Sequence, residues 1–269
     1  MTDSADRIEI NGEPARVEDL RLLVQTNYGH FSAMQVVEGC VRGLDLHLER
    51  IERATSELFG TAIDRERVRA CLRHAVAGSA ESLAVRVNVF ARALNRNRPA
   101  EPVDADVLVM TARPARAAPA PLRLKSFRYT RDLAQTKHVG TFPLFHYRRL
   151  AQQAGFDDAL FVDAGDCISE GSIWNVGFFD GARVVWPDAP QLTGVSMQLL
   201  QAGLARSGVR STVGRIDLDD VGGFRAAFFT NSSTPVQGIA SIDAHEFAPD
   251  PALIASLNAC YESNPLQPI

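Results

Sequence analysis

The sequence predicts an α+β protein built as two domains. Apolar residues recur at helical spacing in several segments, and β-rich runs follow one another closely between glycine-bearing turns. One stretch, Ala112 to Pro121, is rich in proline and alanine and has no periodicity. It is the natural linker, placing a first domain at residues 1–111, a linker at 112–124 and a second domain at 125–269. With 269 residues, 46% of them hydrophobic and 22% charged, the chain can bury a core in each.

In the first domain, Arg7 to Ile10 followed by Asn11-Gly12 reads as a strand and a turn, and Ser32 to Val41 as a strand pair around Glu38-Gly39. Leu48, Ile51, Leu58 and Phe59 then mark a helix closed by Gly60 at its C′ position. Asp64 caps a second helix whose apolar stripe is Val68, Cys71, Leu72, Ala75 and Val76. Strands follow at Ala84–Phe90 and Val107–Thr111. In the second domain a helix over Pro143–Ala154 ends at Gly155, and short strands fall at Ala159–Val162, Cys167–Glu170, Asn175–Phe179 and Arg183–Trp186. A helix over about Val195–Ala205 and an apolar strand at Ala226–Phe229 complete the pattern.

Composition narrows the function. No apolar run approaches the roughly 20 residues of a membrane span, and the N-terminus MTDSADRIEING lacks the layout of a signal peptide, so a cytoplasmic protein is expected. Cys40, Cys71, Cys167 and Cys260 have neither disulfide-framework nor metal-site spacing, and His30, His74, His138 and His146 show no metal spacing either, so no metal is expected. A net charge of −4 with signs interspersed leaves no basic face for nucleic acid. The partner expected is a small molecule.

Of 28 cationic residues only Lys125 and Lys137 are lysines. Lysine persists where arginine would fail, and an amine that must shed a proton and attack a carbonyl is such a place, because guanidinium stays charged. Lys137 lies between the linker and a helix, in Thr136-Lys137-His138-Val139-Gly140. Glu170 sits in a stretch otherwise apolar or small, where a carboxylate needs a cationic partner. Three segments suit an anion: Thr193-Gly194-Val195-Ser196 at a helix opening, Thr230-Asn231-Ser232-Ser233 after a buried strand, and Arg50 between core-facing Leu48 and Ile51.

Taken in order, these segments resemble the class IV (fold-type-IV) pyridoxal-phosphate-dependent aminotransferases, the family of the branched-chain and D-amino-acid aminotransferases and aminodeoxychorismate lyases. The resemblance rests on His47-Leu-Glu-Arg50-Ile, Lys137 with Gly155 eighteen residues on, Gly155-Phe-Asp-Asp-Ala-Leu-Phe-Val-Asp163, Ile168-Ser-Glu170-Gly-Ser-Ile-Trp-Asn175, Leu192-Thr-Gly-Val-Ser196 and Thr230-Asn-Ser232. It spans roughly residues 25 to 240. It implies a small N-terminal α/β domain and a larger C-terminal β-barrel-like domain with helices, a homodimer, and pyridoxal 5′-phosphate as cofactor. Residue by residue, it implies Lys137 as Schiff-base lysine and proton shuttle, Glu170 as partner of the pyridine nitrogen, and Arg50 as a phosphate ligand. Leu192 would pack on the ring, while Gly194, Val195, Ser196, Asn231 and Ser232 would complete the phosphate cradle. Lys125 loosely mimics the lysine motif, but the spacing to Gly155 and Glu170 favours Lys137.

The chain departs from the family at Ser32 and Ala33, where many relatives carry glutamate and threonine, and at Phe142, where branched-chain members often place a tyrosine. Tyr28, Gln35, Asn88 and the run Arg92 to Arg98 are the candidates for substrate recognition; His30 and His138 are candidates for a supporting role. The function expected is transfer of an amino group between an amino acid or amine and a 2-oxo acid. The alternatives are elimination of the 4-amino-4-deoxychorismate lyase type and a non-catalytic binding module.

Overall fold

A computed structural model of the chain describes residues 6–79, 82–114 and 120–269, so residues 115–119 of the expected linker lie outside the described segments. The chain divides into two units. One comprises Met1–Arg116, Thr136–Gly140 and Leu266–Ile269; the other comprises Ala117–Gln135 and Thr141–Pro265.

The elements of the first unit are β1 (Arg7–Ile10), β2 (Glu13–Pro14), α1 (Arg21–Thr26), β3 (His30–Val37), β4 (Cys40–Arg42), α2 (Leu44–Phe59), α3 (Arg65–Val76), β5 (Leu83–Phe90) and β6 (Asp106–Ala112). An antiparallel sheet runs in the order Leu266–Pro268, β4, β3, β5, β6, β1, β2. Its alternation of side chains decides the core. Leu83, Val85, Val87 and Val89 of β5 bury one face with Met34 and Val36 of β3, against Leu48 and Ile51 of α2 and Val68 and Leu72 of α3. Phe31, Arg86 and Asn88 have the opposite parity. The two helix signals hold: Gly60 takes the left-handed conformation at the end of α2, and the Asp64 carboxylate accepts the Glu66 N–H at 2.9 Å.

The second unit contains β7 (Leu122–Arg128), α4 (Phe142–Gln153), β8 (Asp158–Val162), β9 (Ile168–Gly171), β10 (Asn175–Phe179), β11 (Val184–Pro187), α5 (Val195–Arg206), β12 (Ser211–Gly214), β13 (Ala226–Thr230), β14 (Gln237–Ile242), β15 (His245–Glu246) and α6 (Pro251–Glu262). Strands β10, β13, β14, β7, β8 and β9 pair in succession, and the pairing of Asn175 with Glu170 returns β9 to β10. The six strands therefore close into a barrel, which leaves no free edge among them. That closing pair is also where a candidate site residue sits.

Several features depart from expectation, among them that Leu266–Ile269, expected in the second domain, joins the first unit. Residues 122–124, assigned to the linker, begin β7. Helix α6 and strand β14 had no counterpart in the sequence pattern. Residues Thr136–Gly140, expected in the second domain, belong to the first unit because they pair with its chain: Phe31 N–H donates to Lys137 C=O at 2.8 Å and Val139 N–H to Gly29 C=O at 2.9 Å. A side chain at Gly29 would press its Cβ to 2.6 Å from the Val89 carbonyl oxygen, so the close approach of the end of β5 needs glycine there. Among the described residues no helix is long and apolar enough to cross a membrane.

Candidate active site

In the first unit the Lys137 segment brings its amine to 4.9 Å from the centre of the Phe31 ring. The Arg86 guanidinium lies over the same ring at 3.5 Å and donates through Nε to Asn88 Oδ1 at 2.8 Å. Burial lowers the hold of Arg86 on its proton. A desolvated guanidinium of this kind suits a carboxylate.

On the helix side of β3, the Arg50 Nη2 group donates to Ser32 Oγ at 2.5 Å and approaches His47 Nδ1 at 3.4 Å, while Ser32 Oγ lies 2.7 Å from that nitrogen. Two donors facing Nδ1 make it an acceptor, which places the imidazole proton on Nε2. Burial, the Arg50 charge and then the Lys137 charge push His47 well below its ordinary pKa, so the ring is neutral. Ser32 thus becomes the link between Arg50 and His47. His30, whose Nε2 lies 3.0 Å from Thr55 Oγ1, is lowered to about 3 by burial and by Arg50.

Two buried neutral histidines make stability depend on pH. Each takes up a proton near pH 6.5 in the unfolded chain but far lower in the folded one, so stability is full above about pH 6.5 and falls as the pH drops below it. The expected slope is about 1.4 kcal/mol per pH unit per histidine. Urea unfolding at pH 6.5 and pH 5 measures it, and His30→Asn should remove about half. A slope below that of a single histidine in this window would show that at least one ring charges in the folded state.

In the second unit Glu170, at the end of β9, is buried, and its Oε2 accepts the Leu192 N–H at 3.2 Å. Its Oε1 lies 3.5 Å from Arg131 Nε, and both side chains are less than a tenth exposed. Asn175 Nδ2 donates to Gln191 Oε1 and to Leu192 C=O at 3.0 and 2.7 Å, and Gln135 Nε2 donates to Gln191 C=O at 2.8 Å. Thr193 Oγ1 donates to Gln135 Oε1 at 2.9 Å. These bonds hold the turn Gln191–Thr193 against the barrel and deliver Gly194, Val195 and Ser196 to the opening of α5. Gly194 is required there, because a Cβ would stand 2.1 Å from Asn175 Oδ1.

The remaining candidates divide. Asn231 Oδ1 accepts from the Ser233 and Thr234 N–H groups at 2.9 and 2.8 Å, so its side chain shapes the turn that presents Ser232. Tyr28 spends its hydroxyl on Leu58 C=O at 2.8 Å and packs edge-on against Phe59. Gln35 shares the parity of Phe31 on β3, and Asn88 anchors Arg86 rather than standing alone. The arginine run is a solvated surface, with Arg92 paired to Asp19 and Asp106 and Arg98 to Glu101. Phe142 is 77% exposed and stacks on His146. Lys125, the other amine, is held at 2.6 Å by Asp243. Sequence reasoning missed Arg86 and Arg131. The cation it required beside Glu170 is supplied within the protein, by Arg131.

Comparison with known proteins gives the family and the fold. The sequence profile of amino-transferase class IV matches residues 29–242. The branched-chain aminotransferase of Thermoproteus uzoniensis, solved with norvaline, superposes with a TM-score of 0.83 at 16% identity over 96% of this chain and 93% of that one. A hypothetical aminotransferase of Mycobacterium tuberculosis in its PLP-bound form gives 0.79 at 17% identity over 95% and 99%. A putative 4-amino-4-deoxychorismate lyase of Legionella pneumophila gives 0.79 at 19% identity over 93% and 95%. A search of curated proteins returned no match. The profile covers most of the chain and the solved structures share its fold from end to end: the chain belongs to the class IV aminotransferases, a pyridoxal 5′-phosphate-dependent family.

Proposed function

We propose that the chain is an aminotransferase that moves an amino group between an amino acid and a 2-oxo acid, with Lys137 as its reacting, Schiff-base lysine. The observation that carries this reading is that one aromatic ring, Phe31, has both the Lys137 amine and the Arg86 guanidinium against it. A reacting amine beside a desolvated guanidinium suits a substrate that presents an amine and a carboxylate together, as an amino acid does.

The residues fit the cofactor. Pyridoxal phosphate needs an amine for its aldehyde, a carboxylate for its ring nitrogen, an apolar ring contact and anion donors. Lys137 and Arg50 of the first unit, and Glu170, Leu192, the opening of α5 at Gly194–Ser196 and the Ser232 turn of the second, would supply these groups. When bound, the cofactor supplies a carbonyl for the substrate's amine and an electron-withdrawing ring. The chain's own work is then to orient the substrate through Arg86, to hold the ring's charge through Glu170, and to carry the α-proton on Lys137 Nζ. His47, neutral and hydrogen-bonded to Ser32, keeps Arg50 aimed without competing for phosphate charge. A cytoplasmic homodimer is expected, with its four cysteines reduced; all four are free thiols in the fold.

The test is a half-reaction. Protein loaded with pyridoxal phosphate and given L- or D-amino acids without acceptor should release about one 2-oxo acid per chain and stop, since a transaminase cannot turn over without its second substrate. Catalytic release of pyruvate from an aminodeoxychorismate-type substrate, with no such burst, would assign the lyase reaction instead. Protein that stays colourless with added cofactor would remove both readings in favour of a binding module.

A further inference from the structure

Glu170 raises a question that its place in the site does not answer. A buried carboxylate meant to hold a protonated ring nitrogen already has a cation beside it. Arg131 reaches it from the loop after β7, with Nε 3.5 Å from Oε1, and both side chains are nearly dry, at 5% and 8% exposure. The Arg131 Nη2 group closes its own loop on Ala134 C=O at 2.9 Å. Tyr129, on the same loop, feels both charges; burial raises its pKa, so its hydroxyl stays neutral and adds no further charge to the pair. Asp132 is the other acidic neighbour felt at Tyr129.

Consider the proton that Glu170 and a ring nitrogen would share. Moving it from the carboxyl to the nitrogen carries a positive charge away from whatever cation flanks the carboxylate. A guanidinium never gives up its own proton, so its repulsion acts at every working pH. In a site with an effective dielectric constant of about 20, a unit charge 3 to 4 Å away changes such an equilibrium by about tenfold or more.

We propose that Arg131 is a positioning residue that acts through Glu170: its charge drives the shared proton off the carboxyl and onto the ring nitrogen of the bound cofactor. The inference rests on the reading of Glu170 as the partner of that nitrogen. Atoms and electrons balance without a co-reactant. One O–H bond of the Glu170 carboxyl breaks, one N–H bond forms, and the carboxylate left behind is compensated by Arg131. The guanidinium thereby keeps the ring in its electron-withdrawing form while its bond to Ala134 holds the carboxylate's approach fixed.

The test reads the ring nitrogen itself. Wild type and variants are loaded with pyridoxal phosphate isotopically labelled at that nitrogen, and its NMR resonance separates the protonated from the unprotonated form. Arg131→Met and Arg131→Gln should each move the resonance toward the unprotonated position, by about tenfold in the ratio of the two forms. Arg131→Lys, which keeps the charge, should stay near wild type. Arg131→Gln can still donate to Ala134 C=O, so it carries the charge test if the methionine variant does not fold. Glu170→Gln should give the unprotonated resonance outright. If the neutral Arg131 variants bind cofactor with the wild-type resonance while Glu170→Gln shifts it, Arg131 is a structural counter-ion and the proposal fails. If Glu170→Gln leaves the resonance in place, it is the reading of Glu170 that fails.

Discussion

Replacing Lys137 with alanine is expected to lower amino-group transfer by about 10⁴-fold or more, because it removes the amine proposed both to engage the cofactor and to carry the α-proton. Folding should be intact, since the segment is tied to β3 through backbone bonds of Phe31, Lys137, Gly29 and Val139, none of which uses the side chain. Lys125→Ala is the matched control. That amine bonds Asp243 at 2.6 Å in a pair more than a quarter exposed, so its loss should cost under about 1 kcal/mol and leave activity standing. Borohydride reduction of loaded protein followed by peptide mapping gives an independent answer. The modification should fall on Lys137, and finding it on Lys125, or activity surviving in Lys137→Ala, would reverse the assignment.

The comparison of these two lysines shows what in the sequence was legible. Nothing in the chemistry of Thr136-Lys137-His138 marks a reacting amine; the proposal for it rests on its spacing to Gly155, Glu170 and Leu192. The local signals that worked were those whose cause is local. The stripe of α3 with its Asp64 cap, the left-handed Gly60 and Gly155, and the alternation along β5 all follow from the backbone and the nearest neighbours. Helix α6 escaped because Ala252, Leu253, Ile254, Ala255, Leu257, Ala259 and Cys260 leave it no clear polar face, although Asp250, which caps Leu253 N–H at 3.0 Å, followed by Pro251 was a readable start. Strand β14 escaped because Gly238, Ala240 and Ser241 have little strand propensity and are held by β13 and β7 on either side.

Long-range partners were the illegible part of the site. Arg131 stands in a run, Arg128-Tyr-Thr-Arg131-Asp, that reads as solvated, and only the closed barrel brings it to Glu170. Arg86 carries no local mark of its own in the expected strand Ala84–Phe90, and only register places it opposite Ala33 and over Phe31. The residue-type substitutions at Ser32 and Phe142 had different outcomes for the same reason. Ser32 is inside a network that its neighbours in space define, whereas Phe142 faces solvent at the start of α4.

Asp158→Ala is expected to cost about 3 to 5 kcal/mol of stability. The carboxylate is 1% exposed and fully used: Oδ1 accepts from Ser172 Oγ at 2.7 Å and Ala159 N–H at 2.8 Å, and Oδ2 accepts from Trp174 Nε1 at 3.0 Å with Arg148 Nε at 3.5 Å. Alanine would strand two side-chain donors, a backbone N–H and a cation at once. For a chain of this size that corresponds to a fall in thermal midpoint of roughly 10 °C. Glu101→Ala, which breaks an Arg98 pair more than half exposed on both sides, should change stability by well under about 1 kcal/mol. Because Ser172 and Trp174 form the turn from β9 to β10, Asp158 also fixes the ends that carry Glu170 and Asn175. Cofactor affinity should therefore fall along with the midpoint in Asp158→Ala. A variant that melts normally, or melts early while binding cofactor as tightly as wild type, would separate the buried carboxylate from the site it is expected to support.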